Sequence, residues 1–355
     1  MRRWLSVWSL SVVALVAALV LAAACTGQQE ATKPQAKAAG PEVTALAVGT
    51  TADPQVGGPW IIAREKGFFA QEGLTQAEVK VFPSGPATFP AFVSGDLKGN
   101  THAEQPMITQ AAGGVKLKLV GVYADITGVH GMVGSARVKT AKDLEGKKVA
   151  LQKASTMDWY TKNFCKTFAC DISKVEVVNM PPAEGVTALV NGNVDGFAIW
   201  QPFFSRALQA GKDKGLHPLH YNNTSFLVGA EGPRKIHTAY SILYVAPEFL
   251  EKNPRTVDAI LRALDKAVTF INNNQAETVK IFAKEYKQPE DEMDGIVRAI
   301  RYGLALNEER VKDIEGMVDL LLTEKLIKEK VEIRKDILDT APLKRVKPEA
   351  VTVGG

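Results

Sequence analysis

Three carboxylates, Asp53, Glu104 and Asp158, stand where strand-like runs give way to helix-like ones, and no lysine or arginine shares those turns. Around them lie the hydroxyls of Thr51, Ser84, Ser155 and Thr156, the amides of Gln105 and Gln201, and the indole of Trp200, with Tyr240 on a later segment. Side chains of these types recognise a small molecule by hydrogen bonding and stacking. In a low-dielectric crevice, three carboxylates repel an anion and accept from N–H donors. The expected ligand is therefore nitrogen-containing and neutral or cationic, in preference to a small anion, and a flat nitrogen-rich ring would stack on Trp200. Catalytic patterns are missing. "HPLH" (217–220) has two histidines but no zincin glutamate, and reads as surface. No Gly-x-Ser-x-Gly elbow or phosphate loop occurs. No metal site, cofactor or enzymatic activity is expected.

Two phrases make the same move. "AFVSGDLKGNTHAEQPM" (91–107) and "TALVNGNVDGFAIWQPF" (187–203) each pass through a Gly-bearing turn into a short strand and then Gln-Pro. Proline suits a helix start, where the backbone N–H has no helical acceptor. Each Gln-Pro is thus expected at a strand-to-helix junction. There, Glu104-Gln105 and Trp200-Gln201 would face a crevice together with unpaired helix amides.

The elements that position these residues alternate. "EVTALAVGTT", "AEVKVFPSG", "NTHAEQ" and "KLKLVGVYA" read as strands separated by helices. From Thr127 the rhythm restarts with "GVHGMVGS", "KKVALQ", "VEVVNM" and "DGFAIW". The strand "TAYSILYV" and four amphipathic helices follow, one of them "PEDEMDGIVRAIRYGL". Such alternation implies α/β architecture: two lobes, each a mostly parallel sheet flanked by helices. A polar tail, 341–355, is expected to be loosely held.

The N-terminus sets the compartment. "MRRWLSVWSLSVVALVAALVLAAAC" has a basic start, an apolar run and small residues, the pattern of a signal peptide over 1–24. A retained membrane anchor is the alternative, since the apolar run is long. Small residues before Cys25 resemble a bacterial lipobox, although Ala22 stands where leucine is usual. Lipid on Cys25 would anchor the chain to a membrane through a tether, 25–41, that has no apolar residue larger than alanine after the cysteine. Cleavage by the ordinary signal peptidase is the other route, and both place the mature protein outside the cytoplasm. There, Cys165 and Cys170 can form a disulfide if the helix carrying them ends in between, or remain buried thiols. The formal charge is +4, and two of the positive charges, Arg2 and Arg3, lie in the leader. That is too small a balance for a nucleic-acid partner.

"REKGFFAQEGL", "KTAKDLEGKKVAL", "ALVNGNVDGFAIWQPF" and "VAPEFLEKNPRTVDAILRALDKAVTFINNN" together resemble, in this order, the substrate-binding proteins of ABC transporters in the nitrate, sulfonate, taurine and thiamine-pyrimidine-precursor group. The resemblance runs from about Val43 to Leu326. It implies a periplasmic-binding-protein-like clamshell, with one lobe from 42–126 and 240–340 and the other from 127–239. Crossings would lie near 125–129 and 235–241. The expected function is monomeric, extracytoplasmic delivery of a solute to an ABC permease by hinge closure. A ligand-gated sensor subunit, or a pyrimidine-precursor synthesis enzyme of the same fold, are the alternatives.

Overall fold

The computed structural model describes residues 40–354. The leader, Cys25 and nearly all of the tether lie outside the described residues. In chain order the strands are β1 (Ala45–Thr51), β2 (Gln76–Phe82), β3 (Gly99–Ala103), β4 (Lys118–Asp125), β5 (His130–Gly134), β6 (Lys148–Leu151), β7 (Glu176–Asn179), β8 (Gly196–Trp200), β9 (His217–Tyr221), β10 (Thr224–Ser225), β11 (Gly232–Pro233), β12 (Tyr240–Val245) and β13 (Arg301–Ala305). The helices that matter below are α1 (Pro54–Glu65), α2 (Glu104–Ala112), α3 (Thr156–Thr167), α4 (Phe203–Ala210), α5 (Pro254–Asn273), α6 (Gln275–Tyr286) and α7 (Glu308–Thr323).

The strands form two sheets, six-stranded in the order β13-β4-β12-β3-β1-β2 and seven-stranded in the order β11-β10-β9-β5-β8-β6-β7. Parallel pairs hold β2-β1-β3 and β7-β6-β8, and every other pair is antiparallel, so each sheet is mixed rather than mostly parallel. Each sheet has its own buried apolar cluster. Helices cover both faces of the central strands, so β3, β5, β8 and β12 are buried along their whole length.

The chain crosses between the sheets twice, from β4 to β5 and from β11 to β12. The crossings are tied together. Ile126 N–H donates to the Ala239 carbonyl at 2.9 Å, and Ala239 N–H donates to Thr127 Oγ1 at 3.1 Å.

Four further expectations need correction. "RYGL" is not helical: Arg301–Ala305 is an edge strand that alternates, with Tyr302 and Leu304 inward. Its period-2 pattern is too short to stand out behind a helix with a period of 3.6. "HPLH" is not surface. It forms most of β9, and His220 is fully buried. Pro218 argues against a strand, and the sheet accommodates it by a register shift between Met132 and Val133. "NTHAEQ" stops being a strand at Ala103, and α2 starts at Glu104, ahead of Pro106. The tail is not loose. Ala341–Val346 is helical and Leu343 is fully buried. Arg345 makes a two-pronged ion pair with Asp258 at 2.8 and 2.9 Å, Lys347 reaches Asp265 at 2.7 Å, and Val351 bridges to Leu306. Those partners lie on α5 or beyond it, more than 40 residues away along the chain, where no local pattern reveals them.

Cys165 and Cys170 form a disulfide with Cα atoms 4.5 Å apart, and α3 ends at Thr167 between them.

Truncating Leu343 tests the packed tail. Leu343→Ala is expected to lower unfolding free energy by about 2–5 kcal/mol, as for other buried leucines, measured by denaturant titration. An unchanged midpoint would show that the segment is loosely held after all.

Candidate ligand-binding cleft

Helix starts and strand ends from both sheets meet at a small cavity of about 30 Å³. From the first sheet come the end of β1 with Thr51, and the start of α1 with Asp53 and Gln55. The second contributes Trp200 at the end of β8, and Ser155 and Thr156 at the start of α3. His102 of β3 and His130 of β5 complete the polar lining. Local chemistry fixes these positions. Asp53 caps α1 by accepting from Val56 N–H at 3.0 Å, with Pro54 as the first helical residue. Gly57 lets α1 lie close over the strand end, since a β-carbon there would sit 2.3 Å from the Thr51 carbonyl oxygen. Ser155 caps α3 by accepting from Met157 N–H at 3.2 Å.

Of the residues expected from sequence, Thr51, Asp53, Ser155, Thr156 and Trp200 line this cavity, and the others do not. Ser84 is buried in the adjoining turn, where its carbonyl accepts from Ala87 N–H and Gly85 takes the lining position. Glu104 turns to the second crossing and accepts from Tyr240 N–H at 2.8 Å. Gln105 is buried beside the cavity with its Oε1 unpartnered. Asp158 reaches back over the start of α3 to Ala154 N–H. Gln201 is spent on structure: its Nε2 donates to the Tyr221 hydroxyl at 3.1 Å, and its Oε1 accepts from Ser205 N–H at 3.3 Å. Tyr240 donates its hydroxyl to Asp313 at 2.6 Å. Sequence reasoning did not single out Gln55, His102 or His130 as ligand-facing. Gln55 follows a recognisable cap, which signals a helix start, whereas nothing local marks His130.

Among the described residues, Lys162 of α3 ties the lobes through Glu324 beyond α7 at 2.9 and 3.3 Å, and two further contacts flank the cleft. Gln55 Nε2 donates to the Gln201 carbonyl at 2.8 Å, and Arg206 of α4 donates to the Tyr286 carbonyl at the end of α6. The space they enclose holds about two water molecules. A solute of more than a few atoms enters only if the lobes part or the lining moves.

The electrostatics differ from three exposed carboxylates. Burial pushes Asp53 up to about 7, partly offset by the Thr51 hydroxyl and then by the Val56 amide. Burial likewise pushes Glu104 up to about 8, against the lowering effect of Tyr240 N–H and with the Asp125 and Asp313 charges adding to the rise. Burial depresses His102 to about 4 and His130 to about 3, so both rings are neutral. Several polar atoms in the lining have no partner among the described residues: the Thr156 hydroxyl, Trp200 Nε1–H and Gln55 Oε1. The starts of α1 and α3 add the positive ends of helix dipoles. The lining offers donors and acceptors together, around one carboxyl that is ionised only in part at neutral pH.

The free chain should therefore lose stability above about pH 6.5 and again at acid pH, because these groups oppose one another in between. Asp53 and Glu104 keep protons in the folded state that the unfolded chain begins to release near pH 4, so their contribution is full below that, declines progressively, and is lost once pH passes 7 to 8. His102 and His130 act oppositely. Below 6.5 the unfolded chain takes up protons that the folded rings refuse, and stability falls. Thermal midpoints across pH should show both limbs, and Asp53→Asn with Glu104→Gln should flatten the alkaline limb and steepen the acid one. An alkaline limb unchanged in that double variant would refute the assignment.

Residues 39–284 match the NMT1-like family. The chain is 24% identical over 250 residues to the taurine-binding periplasmic protein of Escherichia coli (strain K12), covering 69% of this chain and 74% of that one. The alkanesulfonate-binding protein SsuA from Xanthomonas axonopodis pv. citri, solved with MOPS bound, superposes with a TM-score of 0.72 at 19% identity, over 84% of this chain and 99% of its own. The periplasmic nitrate-binding protein NrtA from Synechocystis PCC 6803 superposes with a TM-score of 0.67 at 17% identity, over 88% and 90% of the two chains. Its sequence and its two-sheet architecture agree: the chain belongs to the NMT1-like family, whose matched relatives are substrate-binding proteins for sulfonates, taurine and nitrate.

Proposed function

We propose that this protein is an extracytoplasmic solute-binding component that delivers a small organic molecule to an ABC permease by closure of two lobes, 42–126 with 240–340 against 127–239. The cavity carries the reading: it is built from strand ends and helix starts of both sheets, joined by only two short crossings. Two rigid bodies linked in this way hinge, and a solute bridging them favours the closed form by its extra contacts there. Lipid on Cys25 and a tether over 25–41 would keep the protein at the membrane beside its permease. A mass spectrum of the mature N-terminus reads this directly.

The solute class follows from the lining. With Glu104 and Asp158 turned elsewhere, a purely cationic ligand loses two of its three expected partners. Asp53 and Gln55 Oε1 suit an N–H donor, while Trp200 Nε1–H and Thr156, at a helix start, suit an acceptor. A nitrogen-containing molecule that is neutral or zwitterionic, with a donor at one end and an acceptor group at the other, satisfies both sides. A bare small anion would leave Gln55 Oε1 unpartnered and would meet Asp53.

Calorimetric titration with taurine, ethanesulfonate and nitrate separates these classes, and mass spectrometry of the protein purified from cells identifies any retained solute. Taurine, which carries the amine, should bind more tightly than ethanesulfonate, and Asp53→Asn should narrow that gap. Trp200→Phe should weaken taurine by about 1–3 kcal/mol through the lost donor. Tightest binding by nitrate or ethanesulfonate, strengthened by Asp53→Asn, would overturn the donor-and-acceptor assignment.

A further inference from the structure

His130 opens β5 immediately after the first crossing, and His237 lies on the second crossing just before β12. His130 Nδ1 and His237 Nε2 are 2.7 Å apart, and both side chains are buried. Two neutral rings in such contact share one proton, and there are two ways to place it. If it sits on His130 Nδ1, then His237 must carry its own proton on Nδ1. That nitrogen is buried and has no hydrogen-bond partner among the described residues. If it sits on His237 Nε2, the unpartnered Nδ1 is a lone pair, and His130 carries its proton on Nε2. Buried N–H groups without an acceptor are rarer than under-satisfied acceptors, which favours the second arrangement.

The surroundings leave no acceptor to rescue the first arrangement. Tyr160 packs edge-on against His237, with ring centroids 5.1 Å apart, but its hydroxyl pairs with His220 Nδ1 at 2.8 Å. His220 Nε2 in turn contacts the Arg234 carbonyl at 2.7 Å, so Nε2 of His220 is the donor and its Nδ1 accepts from Tyr160. Protonation of both rings is disfavoured by burial first, and for His237 also by the nearby His130, His220 and Lys235.

We infer that His237 fixes the tautomer of His130, so that His130 presents an Nε2–H donor to the solute in the cleft. His130 lines the cavity with Thr156 and Trp200, and its Nδ1 edge is occupied by His237. The Nε2 edge is the one left to a ligand. His130 then joins Trp200 as a donor directed at an acceptor oxygen of the solute, and His237 acts on the ligand only through His130, as a positioning residue. The ligand-contacting role rests on the cleft proposed above; the tautomer does not.

Long-range proton–nitrogen NMR of histidine-labelled full chain, without added ligand, reads the tautomer directly. His130 and His237 should both be protonated on Nε2 at neutral pH. In His237→Phe, the His130 signals should move to an exchanging mixture. Taurine and ethanesulfonate are the binding probes. His130→Gln keeps an N–H near the Nε2 position and should stay within about threefold of the parent affinity, while His130→Leu and His237→Phe should each lose about tenfold. His237→Gln, which can still donate to Nδ1, should recover most of the loss. An Nδ1-protonated His130 overturns the inference whether or not either probe binds. Equal affinities for His130→Leu and parent, with the tautomer as stated, overturn the donor role. Failure of both probes to bind the parent, with the tautomer as stated, counts instead against the cleft reading on which that role rests.

Discussion

The pairing of the two crossings is the constraint on which the cleft depends. Ile126 N–H to the Ala239 carbonyl, and Ala239 N–H to Thr127 Oγ1, hold the end of β4 and the start of β12 beside the start of β5. Glu104 extends the tie by accepting from Tyr240 N–H, in a setting where burial keeps the carboxyl largely protonated at neutral pH. With the crossings fixed side by side, the carboxyl ends of β1, β3 and β8 face one another. Helix starts follow strand ends in both sheets, so polar backbone and capping side chains line the gap. Ligand crevices in open α/β sheets form at such places for the same reason.

Burial decides the charge of that gap. The carboxylates and imidazoles around it sit where the charged form is poorly solvated, so burial drives each toward neutrality. A neutral lining with oriented donors and acceptors discriminates by hydrogen-bond pattern more than by net charge. A mismatched solute leaves buried groups unpaired, which costs about 1–3 kcal/mol for each group. In the proposed binding role, specificity would lie with Asp53, Gln55, Thr156 and Trp200, and through a proton position with His130 and His237.

The alternation of strands and helices was legible because it is written in adjacent residues, whereas the break in α3 between Cys165 and Cys170 was only a condition for their pairing. Also legible were the cavity positions of Thr51, Thr156 and Trp200, which follow directly from strand ends and caps. What sequence could not show is which way a side chain turns once its element is placed. Glu104 finds Tyr240, 136 positions away, and Tyr240 finds Asp313, 73 positions away. Asp158 turns back along its own helix because an acid in the first turn meets unpaired amides there. β9 and β13 escaped notice since one contains Pro218 and the other follows a helix without a strong break. The tail looked loose because Arg345 and Lys347 are ordinary surface cations until Asp258 and Asp265 are placed opposite them.

The central claim is that two lobes close on a solute about the paired crossings. Val93 and Val228 are well-exposed large apolar side chains, one on each lobe, and Cys165 and Cys170 are already paired, so in a Cys25→Ser background both positions accept cysteine-directed spin labels. Distance distributions between labels at these two sites, taken without solute and with saturating taurine or the solute that copurifies, measure the motion directly. The account predicts a broad or longer-distance population in the free protein that narrows to a single shorter one on binding. A distribution that is identical in both states, in a protein shown by calorimetry to be saturated, would contradict it.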